Sequence, residues 1–204
     1  MGAAKKSAKL EGQFEPPELG EYFMQHFGSI QGGLTRLGAL CQVQGSILGK
    51  QFSYNGILTF RGPSELSIDL LGPVFTPIFR INLSSEGFVM DPLRVEGVQP
   101  EALNEAIYGT LTAMREYFSG SLFGLRPAVY KKNWKTPSIE VPGWNFGVDS
   151  AGVRMASLVP VSGPKLALED FERVKGKIIP KSISVSGRGY SISIKMDQLK
   201  ADYK

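Results

Sequence analysis

ELSIDLLGPVFTPIFRINL, residues 65–83, is the stretch of sequence that decides the fold. Apolar and polar residues alternate over residues 66–70 and again over residues 79–83, which is the period-two pattern of a strand with one buried face. The segment between them, residues 72–77, is too long for a two-residue hairpin turn and is rich in glycine and proline. The stretch therefore predicts two neighbouring strands joined by a broad loop.

The tip of this loop is apolar, because Val74 and Phe75 stand between Pro73 and Thr76. Loop tips of soluble proteins are usually polar. The two side chains therefore either fold back onto the body of the protein or enter an apolar environment outside it. The residues alone leave both interpretations open.

Length and composition indicate one mainly β domain. The chain has 204 residues, of which 42% are hydrophobic, so it can bury a sizeable core. Its 24 glycines and 13 prolines are spread along the whole length and favour many short elements joined by turns. The formal charge of +4 is modest, and the lysine clusters are typical of solvated faces, so no nucleic-acid partner is predicted.

The residues that usually carry chemistry are scarce. A single cysteine, Cys41, excludes an internal disulfide, and with the single histidine, His26, it cannot form a structural zinc site. Nucleophile-elbow, phosphate-binding, dinucleotide-binding and zinc-protease motifs are absent from the sequence. We therefore expect a protein that is not an enzyme and that uses no cofactor and no metal.

The remaining pattern gives the order of elements. Residues 1–14 are small and charged without periodicity and predict a flexible N-terminal tether, and residues 15–204 form the single domain. A helix is predicted from about residue 17 to residue 31, and a second one from residue 99 to Gly120, with an apolar face running from Leu103 to Phe118. Strands are predicted over residues 41–90 and again over 129–196.

The predicted fold class is α+β, mainly β. About ten antiparallel strands form an open, unclosed β-barrel, and helices cover its concave face. The apolar inner face of such a barrel either fills its own core or leaves a pocket for an apolar ligand. Periodicity alone does not choose between these two.

Four segments, taken in order, resemble the LolB-like outer-membrane lipoprotein receptors of the superfamily that also includes LolA. They are residues 37–45, residues 66–74, residues 176–185 and residues 190–197. The resemblance implies an open β-barrel with a helical lid, enclosing a cavity for the acyl chains of lipoproteins. It places Val74 at the exposed leucine of the family's membrane-entering loop. Phe75 departs from the family, which usually has glycine there.

The resemblance also implies a function. The protein would bind acyl chains of lipoproteins or lipids in an apolar cavity and help to localise them to the outer membrane. Its partners would be these chains, a membrane surface and a periplasmic carrier protein, and it would act as a monomer. It would lie on the periplasmic face of the outer membrane of a Gram-negative bacterium, held by an N-terminal lipid anchor that this sequence lacks.

The candidate cavity residues are apolar positions of the predicted strands and of the second helix: Ile57, Phe60, Leu66, Ile68, Leu70, Phe79, Ile81, Ile107, Leu111, Met114, Ile192 and Ile194. Val74 and Phe75 form the candidate membrane-insertion loop. Two alternatives remain: a soluble periplasmic carrier of the LolA kind, and a structural or interaction lipoprotein with a filled cavity.

Overall fold

The structure is a computed structural model, and it describes residues 33–72, 76–91, 96–119, 129–131, 138–141, 144–149, 152–158, 164–175 and 177–204. Within this part of the chain it contains twelve strands and one helix. In order they are β1 (Leu34–Ile47), β2 (Lys50–Arg61), β3 (Glu65–Leu71), β4 (Pro77–Ser84), β5 (Gly87–Met90), α1 (Pro100–Phe118), β6 (Val129–Lys131), β7 (Ser138–Val141), β8 (Trp144–Asp149), β9 (Gly152–Leu158), β10 (Lys165–Val174), β11 (Lys177–Gly187) and β12 (Tyr190–Tyr203).

All twelve strands belong to one antiparallel sheet, in the order β5-β4-β3-β2-β1-β12-β11-β10-β9-β8-β7-β6. Two meanders, β1 to β5 and β6 to β12, therefore meet where β1 pairs with β12. The edge strands are β5 and β6, which are not paired with each other, so the sheet is open. The prediction of a mainly β fold with an unclosed antiparallel sheet is confirmed, whereas the count of about ten strands was too low.

The seam between β1 and β12 is the longest pairing of the sheet. It runs from Leu34 opposite Tyr203 to Ile47 opposite Tyr190, with irregularities near its Leu34 end. Backbone hydrogen bonds continue beyond both strands, from the Leu48 N–H to the Gly189 carbonyl at 2.7 Å and from the Lys204 N–H to the Gly33 carbonyl at 2.8 Å. The two meanders are thus joined over their full height.

One face of the sheet, here called the inner face, carries the core. Along β12 the buried residues are Ile192, Ile194 and Met196, while the alternating positions Ser191 and Lys195 are exposed. The same alternation occurs in β1, where Cys41 and Val43 are buried, and this pattern is expected for a sheet covered on one side only. The inner face is therefore continuous across the seam.

α1 covers part of this inner face. It begins at Pro100, which is favourable at the first turn because proline lacks the N–H that has no partner there. Its buried side includes Leu103, Ile107, Leu111, Met114 and Phe118. These are the five residues whose spacing predicted the helix, so its apolar face is confirmed. The predicted earlier helix and the tether, residues 1–14, lie outside the described residues, and the division into tether and domain stays a prediction.

A glycine on the inner face of β2 is expected to be essential for close strand packing. A Cβ atom at Gly56 would lie 2.9 Å from the carbonyl oxygen of Asp69 and 3.3 Å from the Sγ of Cys41, whereas a Cβ at Gly38 would meet nothing within 4 Å. Gly56→Ala should lower the free energy of unfolding by about 1–3 kcal/mol, since backbone must move. Gly38→Ala, the matched control, should leave it within about 1 kcal/mol. Urea denaturation of both variants measures the difference, and equal stabilities would contradict it.

Candidate apolar binding site

A small cavity lies between the inner face of the sheet and α1. Its volume is about 20 Å³, enough for about one water molecule. It is lined by residues from β1, β2, β3, β4, β12 and α1: Val43, Phe52, Tyr54, Ile68, Leu70, Ile81, Ile107, Thr110, Leu111, Ile192 and Ile194. Most of this lining is aliphatic, which is the chemistry that suits an apolar ligand.

The polar group that α1 brings to the cavity is internally satisfied. The hydroxyl of Thr110, a buried residue, donates a hydrogen bond of 2.8 Å to the carbonyl oxygen of Ala106 one turn earlier in the helix. A hydroxyl bonded in this way does not need a partner from a ligand. Thr110 therefore behaves as an apolar wall residue whose methyl group can face the cavity.

Seven of the twelve predicted cavity residues line this space: Ile68, Leu70, Ile81, Ile107, Leu111, Ile192 and Ile194. Phe60, Leu66 and Met114 are fully buried elsewhere in the core. Phe79 is half-buried and packs against the core without lining the cavity.

Ile57 requires a correction, because it lies on the outer face. Its neighbours Leu58 and Phe60 are fully buried, while Ile57 itself is 38% exposed. Since side chains alternate between faces along a strand, Ile57 and Phe60 cannot both point inward from the regular strand β2. Ile57 is therefore no part of the cavity wall.

Four lining residues were not among the predicted ones: Val43, Phe52, Tyr54 and Thr110. The sequence did contain a signal for two of them. Phe52 and Tyr54 share the even-numbered alternation of Leu58 and Phe60 in β2, which puts all four on one face. Thr110 lacks such a signal, because residue type alone does not tell a buried threonine on a helix from one that faces solvent.

The loop predicted to enter the membrane, with Val74 and Phe75 at its tip, lies outside the described residues. Its base is described. The Gly72 N–H donates a hydrogen bond of 2.8 Å to the Thr76 carbonyl, so the two ends of the loop are held together. Ile78, at the start of β4, is 44% exposed beside this base, which adds apolar surface to it.

An ion pair on the outer face stands near the same loop. The Nε of Arg80 lies 2.6 Å from the Oδ1 of Asp69, and a second guanidinium nitrogen lies 3.3 Å from its Oδ2. The backbone N–H of Arg80 also donates to Asp91 at 3.1 Å. The hydrogen bond to Asp69 raises the pKa of Arg80. Because Arg80 is exposed, this pair orients β3, β4 and β5 more than it stabilises them.

The groups that could react are few in the described part of the chain. Burial raises the pKa of the Cys41 thiol to about 12, which disfavours the nucleophilic thiolate. Burial, with the nearby charge of Glu105 as a smaller cause, raises the pKa of Tyr190. The described residues contain no cluster of three or more histidine, cysteine or acidic side chains that could hold a metal ion. None of the described helices is long and apolar enough to cross a membrane.

Comparison with known proteins points to the fold. No protein-family model matches the chain, and no curated protein sequence matches it either. A solved LolA superfamily protein from Nitrosomonas europaea is similar in structure, with a TM-score of 0.50 and 10% identity over 90% of this chain and 93% of that one. At this identity the likeness concerns the fold alone. The chain thus shares the LolA-like fold.

Two further solved structures are similar to a lesser degree. A DUF1329 family protein from Desulfovibrio piger has a TM-score of 0.46 and 9% identity over 93% of this chain and 94% of that one. A domain named for outer membrane lipoprotein sorting, from Vibrio parahaemolyticus, has a TM-score of 0.49 and 10% identity over 91% of this chain and 93% of that one.

The buried thiol of Cys41 should make the free energy of unfolding fall as the pH becomes alkaline. The folded pKa of Cys41 is about 12, above an unfolded value of about 8.5. The thiolate therefore forms first in the unfolded state, and stability is lost as pH rises from about 8.5 toward 12. Between pH 8 and pH 10 the wild type should lose roughly 1–2 kcal/mol more than Cys41→Ala. Denaturant titrations at the two pH values test this, and parallel losses in both proteins would refute it.

Proposed function

We propose that this protein binds acyl chains of lipoproteins or lipids between its inner sheet face and α1, and helps to localise them to the outer membrane. The observation that carries the proposal is the apolar contact surface between α1 and the sheet. The cavity lies there, and the hydroxyl of Thr110 is already hydrogen-bonded within the helix. The LolA-like fold supports it. The LolB-like character rests on the sequence resemblance around Val74.

The cavity of about 20 Å³ is far smaller than the roughly 300–1,000 Å³ of ordinary ligand pockets. An acyl chain therefore needs α1 to shift away from the sheet, and Ile107 and Leu111 are the apolar helix residues that must move. Taking these two out of contact costs about 3–6 kcal/mol. Burying a chain of about twelve methylenes gains about 10 kcal/mol, so a partial shift is favourable and a ligand can replace the helix contacts.

Binding of this kind needs no catalysis. The chain moves from one apolar environment to another, so a carrier protein can hand its cargo to this protein, and this protein to a bilayer, without a nucleotide or a cofactor. Val74 and Phe75 would dip into the bilayer during the second step. A phenylalanine side chain in lipid contributes roughly 1.5–3 kcal/mol, enough to orient the protein on the membrane for delivery.

Leu111→Phe should reduce acyl-chain binding because the larger ring fills the space that the ligand must enter. The matched control is Leu103→Phe, at a buried position of α1 that does not line the cavity. Both variants overpack the core and should lose about 1–3 kcal/mol of stability. Only Leu111→Phe should lower the affinity for a fluorescent fatty acid, by about tenfold or more. Native mass spectrometry of the wild type should reveal co-purified acyl chains; wild-type protein that neither carries nor takes up such chains would refute the proposal.

The loop tip is tested separately with the double variant Val74→Glu, Phe75→Glu. Two carboxylates at the tip should abolish transfer of a bound fluorescent acyl chain to vesicles, because charged groups do not enter hydrocarbon. Binding of the chain in solution should remain as in the wild type, since the two substitutions leave the eleven described lining residues of the cavity unchanged. The double variant Val74→Leu, Phe75→Leu keeps the tip apolar and should keep transfer. Equal transfer rates for the glutamate variant and the wild type would exclude a delivering loop.

A second candidate, a structural or interaction protein with a filled cavity, is favoured by one observation: the cavity has room for about one water molecule. In that case α1 would be a permanent part of the core. A fluorescent fatty acid would then find no saturable site, and hydrogen exchange of α1 would be as slow as that of β1 and β12. Under the acyl-chain proposal, α1 exchanges faster than these strands.

A further inference from the structure

The hairpin between β1 and β2 has a leucine at its tip. Leu48 and Gly49 form its two-residue turn, with φ values of 50° and 82°, and positive φ at both positions is typical of a type I′ turn. Asn-Gly and Asp-Gly are the favoured pairs in such turns, and a leucine with positive φ carries a conformational cost. The Leu48 side chain is nevertheless 62% exposed, so burial in the core does not compensate for that cost.

Leu48 is apolar, unlike the other non-glycine residues that have a positive φ in the described part of the chain. The other non-glycine residues with positive φ in the described part of the chain are Asp170, Lys175 and Gln198, all of them polar. A positive φ at a residue with an exposed apolar side chain is a backbone outlier, and such outliers often mark a functional position.

The tip is held firmly in place. The Leu48 N–H donates to the Gly189 carbonyl in the neighbouring β11–β12 hairpin at 2.7 Å. A Cβ atom at Gly189 would lie 3.1 Å from the Cδ2 of Leu48, so the two turns touch. The leucine is thus presented by two adjacent hairpins and not by a single free one.

The two hairpins extend beyond the end of the neighbouring strand β3. The pairing of β2 with β3 ends at Asn55 opposite Leu71, while β2 continues to Lys50 opposite Ile47. Five further residues in a strand extend about 17 Å. Because β3 ends in this direction, Gly72 and Thr76, which follow β3 and precede β4, lie at the same end of the sheet as Leu48. The cavity residues Phe52 and Ile192 belong to this end as well.

The charges of the two turns are positive. Lys50 and Arg188 are exposed and lie beside Leu48 and Gly189. The side chain of Lys50 extends toward Gly97, next to the exposed Glu96, and Glu105 of α1 acts on Tyr190 at the base of the hairpin. Residues 47–50 and 187–190 themselves contain no acidic group. An exposed apolar residue in a pair of turns that carries two cations complements a bilayer with anionic headgroups.

We propose that Leu48, with the exposed cations Lys50 and Arg188 of the same two turns, is a second membrane-contact point that docks this end of the sheet onto an anionic lipid surface. Leu48 enters the acyl boundary while the two cations meet the headgroups. The idea rests on the proposed function for its setting, a protein that delivers to a membrane, but it concerns residues outside the cavity wall and outside the loop. Two contacts, one at each tip, would fix the orientation of the cavity toward the bilayer, which one contact cannot do.

The test uses Leu48→Asn. Asparagine is favoured in the turn, so this variant keeps or raises the melting temperature while it removes the apolar tip. Its partition onto vesicles of phosphatidylethanolamine with about a quarter phosphatidylglycerol should fall five- to tenfold. The matched control is Val89→Thr, because Val89 is 63% exposed but lies on the edge strand β5, opposite Asn82; it should partition as the wild type does.

Arg188→Gln tests the contribution of positive charge to vesicle binding. It should weaken partition about fivefold on these vesicles and leave partition onto phosphatidylcholine vesicles unchanged. Unchanged partition of Leu48→Asn, or an equal fall for Val89→Thr, would overturn the proposal. So would a wild-type dimer that Leu48→Asn converts to a monomer, since the tip would then bind a second copy. Fatty-acid binding by Leu48→Asn should equal that of the wild type. If the wild type itself binds no fatty acid, the proposed function is refuted, whereas a fall in vesicle partition for Leu48→Asn would still support the membrane contact.

Discussion

The backbone pairing of β1 with β12 is the interaction on which the rest of the structure depends. It joins two meanders that otherwise share no strand pairing in the described sheet, and it brings Val43 of one meander beside Ile194 of the other. Both residues line the cavity, so the apolar wall exists only because the seam is formed. The same seam sets the two hairpin tips side by side, through the bond from Leu48 to Gly189.

Much of this architecture could be predicted from local pattern. The apolar spacing from Leu103 to Phe118 identified the buried side of α1, and alternation around Leu66 and Ile81 identified β3 and β4, because both patterns depend on near neighbours in the chain. The seam could not be found in this way, since it pairs residues more than 140 positions apart, such as Gly45 and Ile192. The strand count was low because β7 has only four residues, too few to show a clear alternation of apolar and polar positions.

The site was predicted less well than the fold, for two physical reasons. Ile57 was assigned inward by its apolar character, although the alternation of Phe52, Tyr54, Leu58 and Phe60 assigns it outward; residue type was given more weight than period. The choice between a filled core and an open pocket depends on how closely α1 approaches the sheet, a distance of a few ångströms that no pattern encodes. Under the proposed function, the small cavity implies binding by exchange: ligand methylenes would take the place of helix side chains, and the buried apolar area would change little.

The order of the strands along the chain affects how the protein folds, because β12 is the last strand of the described sheet. Its partner β1 is the first strand of the described sheet, so the central pairing is the most distant in sequence and has the largest loop-closure cost. Proteins dominated by such distant pairings fold slowly, and the inner face of the first meander has no second meander beside it until the last strand has been made. A folding chain would therefore expose this apolar face until β12 had paired with β1, and it would be prone to aggregation during that time.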